Sequence, residues 1–126
     1  MREIEFRGKR TDNGEWVYGY YYVNTWWKNA RIQCNVNGAY QWNVIPETVG
    51  QYTGLKDKDG KKIFEGDIIR HGDFNHKPAP YIEIGYIEYK NGGFCILPMD
   101  DFAWCEIDLE VIGNVYDNPE LLEASE

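Results

Sequence analysis

The sequence lacks most of the features that identify a catalytic or exported protein. Ser125 is the single serine, and no Gly-x-Ser-x-Gly elbow, P-loop or Gly-x-Gly-x-x-Gly motif occurs. No run of 18 apolar residues is present, and the N-terminal segment has no apolar signal region. We therefore expect a cytoplasmic protein that is not an enzyme, has no cofactor and does not enter a membrane.

Typical metal ligands are also few. Three cysteines, Cys34, Cys95 and Cys105, have no Cys-x-x-Cys spacing, which indicates buried reduced thiols and neither a disulfide framework nor a zinc site. The best metal candidates are four side chains within ten residues: Asp67, His71, Asp73 and His76. Their spacing matches no metal motif, so we favour a solvated polar loop over a metal site.

The acidic segment 57–60 superficially resembles a calcium-binding loop. With Gly60 at the sixth loop position, the first and twelfth positions would be Leu55 and Gly66, which supply no side-chain oxygen. Asp59-Gly60 is instead a strong hairpin-turn dipeptide. We therefore predict a turn at this place and no calcium site.

Charge is divided unevenly along the chain. The net charge is −8, but residues 1–64 carry ten Lys or Arg against seven Asp or Glu, whereas residues 65–126 carry three against fourteen. Such asymmetry fits complementary ends that meet in self-association, an acidic face that imitates nucleic acid, or a solvated surface. For any single charge cluster we favour the solvated surface.

Aromatic residues, in contrast, are abundant. Phe, Trp and Tyr make up 16% of the chain, a composition that suits strands better than helices. The run from Glu15 to Val23 is apolar or aromatic at both parities. We predict that one face of this strand lies in the core and that the other contacts a further element or subunit. Self-association through the aromatic N-terminal half is the consequence we expect.

A β-hairpin is predicted around Asn37-Gly38, because alternating apolar and polar residues precede and follow this dipeptide. A strict two-residue turn would pair Cys34 with Gln41. One extra loop residue would instead pair Cys34 with Trp42 and so join apolar side chains on one face. We predict the second register, because hydrophobic pairing should decide it.

The remaining segments predict short strands and one helix. Tyr81–Tyr89 changes the phase of its apolar residues, which predicts a bulge or bend at Gly85. Further strands are predicted at 94–97 and 109–112. Asn118 and Pro119 can cap and open a short terminal helix.

Residues 51–69 are the most distinctive part of the chain, because three glycines separate short β-type runs at fixed offsets. Gly54 and Gly60 occupy places where positive φ is expected, and Glu65-Gly66-Asp67 resembles the corner that enters a strand of a small barrel. With residues 112–116 and 118–122, this segment resembles the YopX family of phage and prophage proteins. The motif positions are Tyr52, Thr53, Gly54, Leu55, Asp57, Gly60, Glu65, Gly66, Asp67, Gly113, Asn114, Asn118 and Pro119.

The resemblance covers residues 1–7 loosely and 44–122 better, and it implies a phage or prophage source, a small-barrel C-terminal portion and homo-oligomers. We therefore predict a mainly β protein with minor α structure, forming a single YopX-like domain over 1–126. A β-hairpin-rich N-terminal part spans 1–49. A small antiparallel β-barrel spans 50–126 and ends in a short C-terminal helix.

The function we expect is that of a non-enzymatic phage or prophage-encoded binding or assembly protein, self-associating, with an unknown phage or host protein as a further partner. It would act in the cytoplasm of the bacterial host cell. The alternatives are a nucleic-acid-binding small-barrel protein and an acidic nucleic-acid mimic acting on a host defence nuclease. A metal-dependent hydrolase is the least favoured.

Nucleic-acid binding draws its support from cations within the aromatic half of the chain. Aromatic rings can stack bases while cations hold phosphates. Against it, the acidic total raises the electrostatic cost, and we assign Trp16 and Trp42 to the core. The candidate cations are Arg2, Arg7, Lys9, Arg10, Arg31 and the lysines of 56–62.

Overall fold

The protein is mainly β in a computed structural model that describes residues 4–24, 26, 28–34, 40–73, 77–78, 81–90, 93–97 and 108–123. The predicted fold class is confirmed at this level. In the described residues the strands are β1 (Phe6–Lys9), β2 (Trp16–Val23), β3 (Ala30–Cys34), β4 (Tyr40–Asn43), β5 (Gly50–Lys56), β6 (Lys62–Phe64), β7 (Asp67–Asp73), β8 (Tyr81–Lys90), β9 (Gly93–Leu97) and β10 (Asp108–Asn114). A 3₁₀ turn spans Pro46–Thr48, and the helix α1 spans Glu120–Glu123.

Hydrogen bonds join the strands into two sheets. One has six strands in the order β4-β3-β2-β1-β5-β6, and the other has four in the order β10-β7-β8-β9. The chain divides into two compact units, Met1–Gly54 and Leu55–Glu126, so the boundary falls within β5. The sequence had predicted a boundary between residues 49 and 50.

The N-terminal unit has its core on one face of its sheet. Ala30, Ile32 and Val44 are buried there, with Phe6, Val17, Tyr21 and Val49 packed against them. Alternation along the strands explains this segregation, because every second side chain points to the same face. Gly8 belongs to this side, where an added Cβ would lie 3.1 Å from the Cβ of Val44.

The predicted register of the β3–β4 hairpin is wrong by two residues. The structure pairs Cys34 with Tyr40 and Ile32 with Trp42. In both the predicted and the observed register, Ile32, Cys34, Tyr40 and Trp42 lie on the same face of the sheet. Hydrophobic pairing therefore predicts which face these residues share, but it does not distinguish two registers that differ by two residues. The predicted turn falls within residues 35–39, outside the described residues.

The C-terminal unit has a core of aliphatic side chains. Ile63, Ile69, Ile87, Ile96 and Leu109 form its buried cluster, against which Phe94 and Val111 pack. In the described residues β9 and β10 occupy the two ends of the four-stranded order, and no pairing joins them. An antiparallel sheet is therefore present, and closure into a barrel stays a prediction.

The bulge predicted at Gly85 is absent from the described ladder. β7 and β8 keep one register from Ile68 with Tyr86 to Asp73 with Tyr81. Gly85 is required for another reason, since an added Cβ would lie 2.5 Å from the carbonyl oxygen of Leu97. The register shift occurs instead in β10, between Val111 and Gly113.

The predicted terminal helix is present as the four residues of α1. The backbone carbonyl of Asn118 accepts a hydrogen bond from the Leu121 amide at 3.0 Å. The side-chain Oδ1 of Asn118 accepts from the Asn114 amide, at 3.2 Å, and so fixes the end of β10. Within the described residues, no helix has both the length and the apolar character needed to span a membrane.

Candidate binding surface

One face of the N-terminal sheet carries a continuous set of aromatic, cationic and amide side chains, which we name the tyrosine face. Directly paired residues of antiparallel strands place their side chains on the same side of a sheet. The registers pair Arg7 with Tyr18, Lys9 with Trp16 and Tyr20 with Gln33. The tyrosine face comprises Arg7, Lys9, Trp16, Tyr18, Tyr20, Tyr22, Arg31, Gln33, Gln41 and Asn43.

Two of the three tyrosines of this face, Tyr18 and Tyr20, are open to solvent, and Tyr22 is half-buried. Tyr18 is 44% and Tyr20 53% exposed, although both lie in the interior of an eight-residue strand. Tyr21 points to the opposite face, where its ring centroid lies 5.8 Å from that of Phe6. Within the N-terminal unit, one side of β2 is therefore packed against the core and the other side is exposed to solvent.

Two cations lie against an indole at one end of the tyrosine face. The guanidinium carbon of Arg7 is 4.6 Å and the Lys9 Nζ 5.6 Å from the centroid of the Trp16 ring. These distances are typical of cation–π contacts. Trp16 therefore lies on the face opposite the apolar core, and its assignment to the core was wrong.

Arg10 and Trp42 lie on the other side of the sheet. Trp42 pairs with Ile32 and so shares the face of the apolar core. The Arg10 guanidinium carbon lies 3.7 Å from the Trp42 ring centroid, and its Nε donates to Asp12 Oδ1 at 2.9 Å. Of the predicted nucleic-acid candidates, Arg10 is therefore excluded from the tyrosine face, and Arg2 is outside the described residues.

Amide side chains complete the tyrosine face. The Tyr22 hydroxyl donates to Gln41 Oε1 at 2.5 Å, and Gln33 lies opposite Tyr20. Asn43 Oδ1 accepts from the Nδ2 of Asn29 at 2.7 Å. None of the ten residues of the tyrosine face is acidic. The sequence had singled out the tyrosines and Arg31, but it gave no reason to group them with Gln33, Gln41 and Asn43, which only the pairing register reveals.

Asp57, a motif residue, is used to build the C-terminal unit. Its Oδ1 accepts hydrogen bonds from the amides of Asp59 and Lys61, at 2.9 and 2.8 Å, and its Oδ2 accepts from the Val111 amide at 3.0 Å. Burial alone would raise the pKa of Asp57, but these three hydrogen bonds outweigh it and lower the pKa. One carboxylate thus holds a hairpin turn against β10.

Two motif glycines, Gly54 and Gly60, adopt the positive φ that the sequence predicts, and Gly66 has a positive φ as well. Gly54, Gly60 and Gly66 have φ of 91°, 85° and 93°. Gly66 also donates its amide to the Ile87 carbonyl at 2.8 Å and accepts from the Val115 amide at 2.9 Å. The corner before β7 is therefore bonded to β8 and to the segment after β10.

The other motif residues likewise have structural surroundings. Tyr52 and Thr53 are buried, Leu55 is exposed and Glu65 is half-buried. A Cβ on Gly113 would lie 2.6 Å from Asn118 Oδ1. Asn114 Oδ1 accepts from the amides of Tyr116 and Asp117, and the Pro119 carbonyl accepts from the Leu122 amide.

The four metal candidates are not brought together as far as the structure describes them. Asp67 Oδ2 accepts from the Phe64 amide at 2.8 Å within the turn before β7. His71 lies four residues further along the same strand, so the two are roughly 13 Å apart, too far for one ion. The Asp73 side chain and His76 are outside the described residues, among which no group of three or more potential ligands occurs.

His71 is instead a buried histidine. It is 2% exposed, and its Nε2 has no hydrogen-bond partner. Its strand neighbours are Glu83 and Leu109. Burial lowers the pKa of His71, while the charge of Glu83 acts in the opposite direction. The predicted polar loop is thus a strand at this position, and its alternation with Ile69 is the signal that could have shown it.

Among the lysines of 56–62, Lys58 is paired with carboxylates. Lys58 Nζ lies 3.6 Å from Asp59 Oδ2 and 3.4 Å from Glu110 Oε2, and Arg70 pairs with Glu110 as well. Hydrogen bonding to Arg70 is the main cause that lowers the pKa of Glu110. The hypothesis of an acidic nucleic-acid mimic requires that the carboxylates of residues 100–126 share one exposed face. Residues 98–107 and 124–126 are outside the described residues, so this hypothesis stays a prediction.

Cys95 is buried, as predicted. The Cys34 side chain and Cys105 lie outside the described part of the chain.

The fold and the surface together define a class of protein. It is an antiparallel β protein of two compact units, and the first unit carries an exposed aromatic face. A family model described as YopX protein matches residues 5–123, and the chain therefore belongs to the YopX family. The match includes the aromatic stretch from Tyr18 to Trp42, where the sequence resemblance was poor.

A solved structure supports the same fold. The crystal structure of protein EF1440 from Enterococcus faecalis is similar to this chain, with a TM-score of 0.59 and 25% sequence identity. The similarity covers 97% of this chain and 99% of that chain. The name of that protein states no activity. No curated protein matches this chain.

Proposed function

We propose that this YopX family member is a non-enzymatic binding protein, encoded by a phage or prophage and active in the bacterial cytoplasm, whose contact surface is the tyrosine face. The observation that carries the proposal is the exposure of Tyr18 and Tyr20 in the middle of a strand whose other face is packed. Tyrosine, tryptophan and arginine are the residues most enriched where proteins bind their partners.

The chemistry of the surface supports binding over catalysis. The ten residues of the tyrosine face include no carboxylate, histidine, cysteine or serine, the groups that most often act as acids, bases or nucleophiles. Asp57 and Asp67, which have suitable chemistry, accept backbone hydrogen bonds in turns of the other unit.

Affinity capture from phage-infected or induced host cells tests the proposal. The wild-type protein and Tyr89→Ala should recover the same partner, and the double variant Tyr18→Ala/Tyr20→Ala should lose it. Tyr89 is a suitable control because it is 52% exposed but lies in β8 of the other unit. Recovery of nothing reproducible, together with turnover of a small molecule by the purified protein, would overturn the proposal.

Self-association is the second candidate, and the same exposed rings favour it. A specific interface buries at least about 1,000 Å², which a face of four strands can supply. Light scattering coupled to size exclusion should then give a mass above the 14.8 kDa of one chain. Added salt should lower the rate of association, because it screens the charges, but it should have little effect on the stability of a mainly hydrophobic oligomer. A monomer at every micromolar concentration would remove this candidate.

A further inference from the structure

We infer that Asp57 and Lys58 close the outer edge of β10 against pairing with a strand from a second copy of this chain. This edge belongs to the C-terminal unit and takes no part in the proposed function. Three features of the turn protect it: two hydrogen bonds to β10, the further bonds that hold the turn in shape, and an ion pair beside them.

The outer edge of β10 is a place where another strand can add. In the described residues β10 stands at one end of the order β10-β7-β8-β9, and it pairs antiparallel with β7. The backbone groups of every second residue of such a strand point away from that partner. When they are left open, they form a template on which a strand of another chain can pair.

The turn occupies two positions of this outer ladder. The Lys58 amide donates to the Leu109 carbonyl at 2.9 Å, and the Val111 amide donates to Asp57 Oδ2 at 3.0 Å. In a regular antiparallel ladder, a carbonyl and an amide placed in this way bond to the backbone of one neighbouring strand. Here the carboxylate of Asp57 replaces the carbonyl of that strand. A strand from a second copy must therefore displace the turn before it can pair with β10.

Further hydrogen bonds keep the turn in shape. Asp57 Oδ1 accepts from the amides of Asp59 and Lys61, at 2.9 and 2.8 Å. The Gly60 amide donates to the Asp57 carbonyl at 3.0 Å. One carboxylate oxygen thus holds the turn closed while the other holds it on β10. Because Asp57 is buried, water competes poorly for these bonds.

An ion pair lies beside the two ladder bonds. Lys58 Nζ is 3.4 Å from Oε2 of Glu110, the residue between Leu109 and Val111, and Arg70 pairs with Glu110 as well. Charged side chains, lysine above all, oppose the addition of a strand at a sheet edge. A strand that displaced the turn would also separate Lys58 from Glu110.

Lys58→Pro tests the backbone donor by itself. Lys58 is the second residue of the turn that the bond from Gly60 to Asp57 closes, a position that proline often occupies. The turn should therefore persist, but proline has no amide hydrogen to donate to Leu109. Lys58→Ala is the matched control, because it removes the same side chain and keeps the donor.

Asp57→Ala tests the acceptor, because it leaves the Val111 amide without its partner and loosens the turn. This substitution also destabilises the unit, so it needs a control that is destabilised elsewhere. Ile87→Ala supplies it. Ile87 is fully buried in β8, an internal strand of the same sheet, and its truncation leaves the edge of β10 covered.

Light scattering and thioflavin T fluorescence over increasing protein concentration measure strand pairing between copies. Circular dichroism first establishes that each variant is folded at the temperature used. Asp57→Ala and Lys58→Pro should form thioflavin-positive assemblies larger than the wild-type species. The wild type, Lys58→Ala and Ile87→Ala should not, because their β10 edge stays covered.

Hydrogen exchange at the Val111 amide identifies the edge directly. In dilute Asp57→Ala this amide should exchange on the order of tenfold faster than in the wild type, because it has lost one hydrogen bond. Exchange should slow again when the variant assembles, since a strand of the second copy then accepts the bond.

Three results would overturn the inference. The first is a folded Lys58→Pro and a folded Asp57→Ala that keep the mass of the wild type at every concentration. The second is assembly of Ile87→Ala to the same extent, which would attribute assembly to lost stability. The third is assembly of Asp57→Ala that Tyr18→Ala/Tyr20→Ala abolishes, which would assign the contact to the tyrosine face. If Asp57→Ala does not fold, the comparison of Lys58→Pro with Lys58→Ala gives the answer.

Discussion

The two units of this protein use their polar residues in opposite ways. In the C-terminal unit, Asp57 and Asp67 direct their carboxylates at backbone amides. Asp57 accepts two hydrogen bonds from its own turn and a third from Val111 of β10. In the N-terminal unit, Tyr18 and Tyr20 extend from an otherwise packed sheet into solvent. The residues that most clearly mark the family thus maintain the fold, whereas the exposed face consists of residues that form no recognisable motif.

Substitution of Asp57 should produce the largest loss of stability. Asp57→Ala leaves three amides without their acceptor, and we expect the free energy of unfolding to fall by about 3 to 4 kcal/mol. Urea denaturation measures this loss. Asp59→Ala, in the exposed part of the same turn, should change stability by less than about 0.5 kcal/mol. Equal effects of the two would contradict the structural role of Asp57.

Gly85→Ala should destabilise the four-stranded sheet by about 2 to 3 kcal/mol. The new Cβ would lie 2.5 Å from the Leu97 carbonyl and 2.9 Å from the Cγ2 of Ile96, so the backbone must shift. Gly93→Ala is the matched control, because a Cβ there has no neighbour within 4 Å. Thermal unfolding of both variants separates steric crowding from a general preference for glycine.

Acid should weaken the C-terminal unit through His71. Its folded-state pKa lies below the ordinary value of 6.5, so the unfolded chain takes up the proton first as the pH falls. Stability is therefore complete above about pH 6.5 and declines below it, by up to about 1.4 kcal/mol per pH unit until the folded pKa is reached. His71→Phe should remove this part of the decline. Identical pH profiles of the wild type and the variant would show that His71 does not contribute.

The smallest effect on stability should come from the tyrosine face. Tyr20→Ser should change the free energy of unfolding by less than about 0.5 kcal/mol, because the ring is largely exposed. Tyr21→Ser, one residue further, should cost about 2 kcal/mol, because that ring packs against Phe6 and the core. Comparable losses of unfolding free energy at Tyr20 and Tyr21 would show that both faces of β2 are packed. The N-terminal unit would then have no exposed face to contrast with the C-terminal unit.

Local rules predicted the elements of this fold better than their pairing. Strands around 81–89, 94–97 and 109–112, the turn at Asp59-Gly60 and the short helix after Pro119 are all present near their predicted places. The β3–β4 register was wrong, and the described β7–β8 ladder has no bulge at Gly85, where a bulge or a bend was predicted. A register depends on which strand supplies the partner, and an apolar pattern of period two is equally satisfied by shifts of two residues.

The binding surface shows the same division. The aromatic run from Glu15 to Val23 indicated that one face would be buried, but both parities were equally apolar, so the sequence could not decide which. Packing decided it, because Tyr21 meets Phe6 while Tyr20 lies opposite Gln33. His71 was misassigned for a related reason: residues 70–76 are mostly polar in sequence, whereas the neighbours of His71 in space include Leu109 and Gly85 beside Glu83.

The sequence by itself determined the mainly β class, the positive φ of Gly54 and Gly60, and membership of the YopX family, because these depend on residue type and short-range spacing. Only the tertiary structure decided that Asp57 joins two segments 54 residues apart and that ten scattered residues share one face. Such contacts arise from strand pairing over long stretches of chain, where many registers satisfy local preferences and the packing of the core selects one.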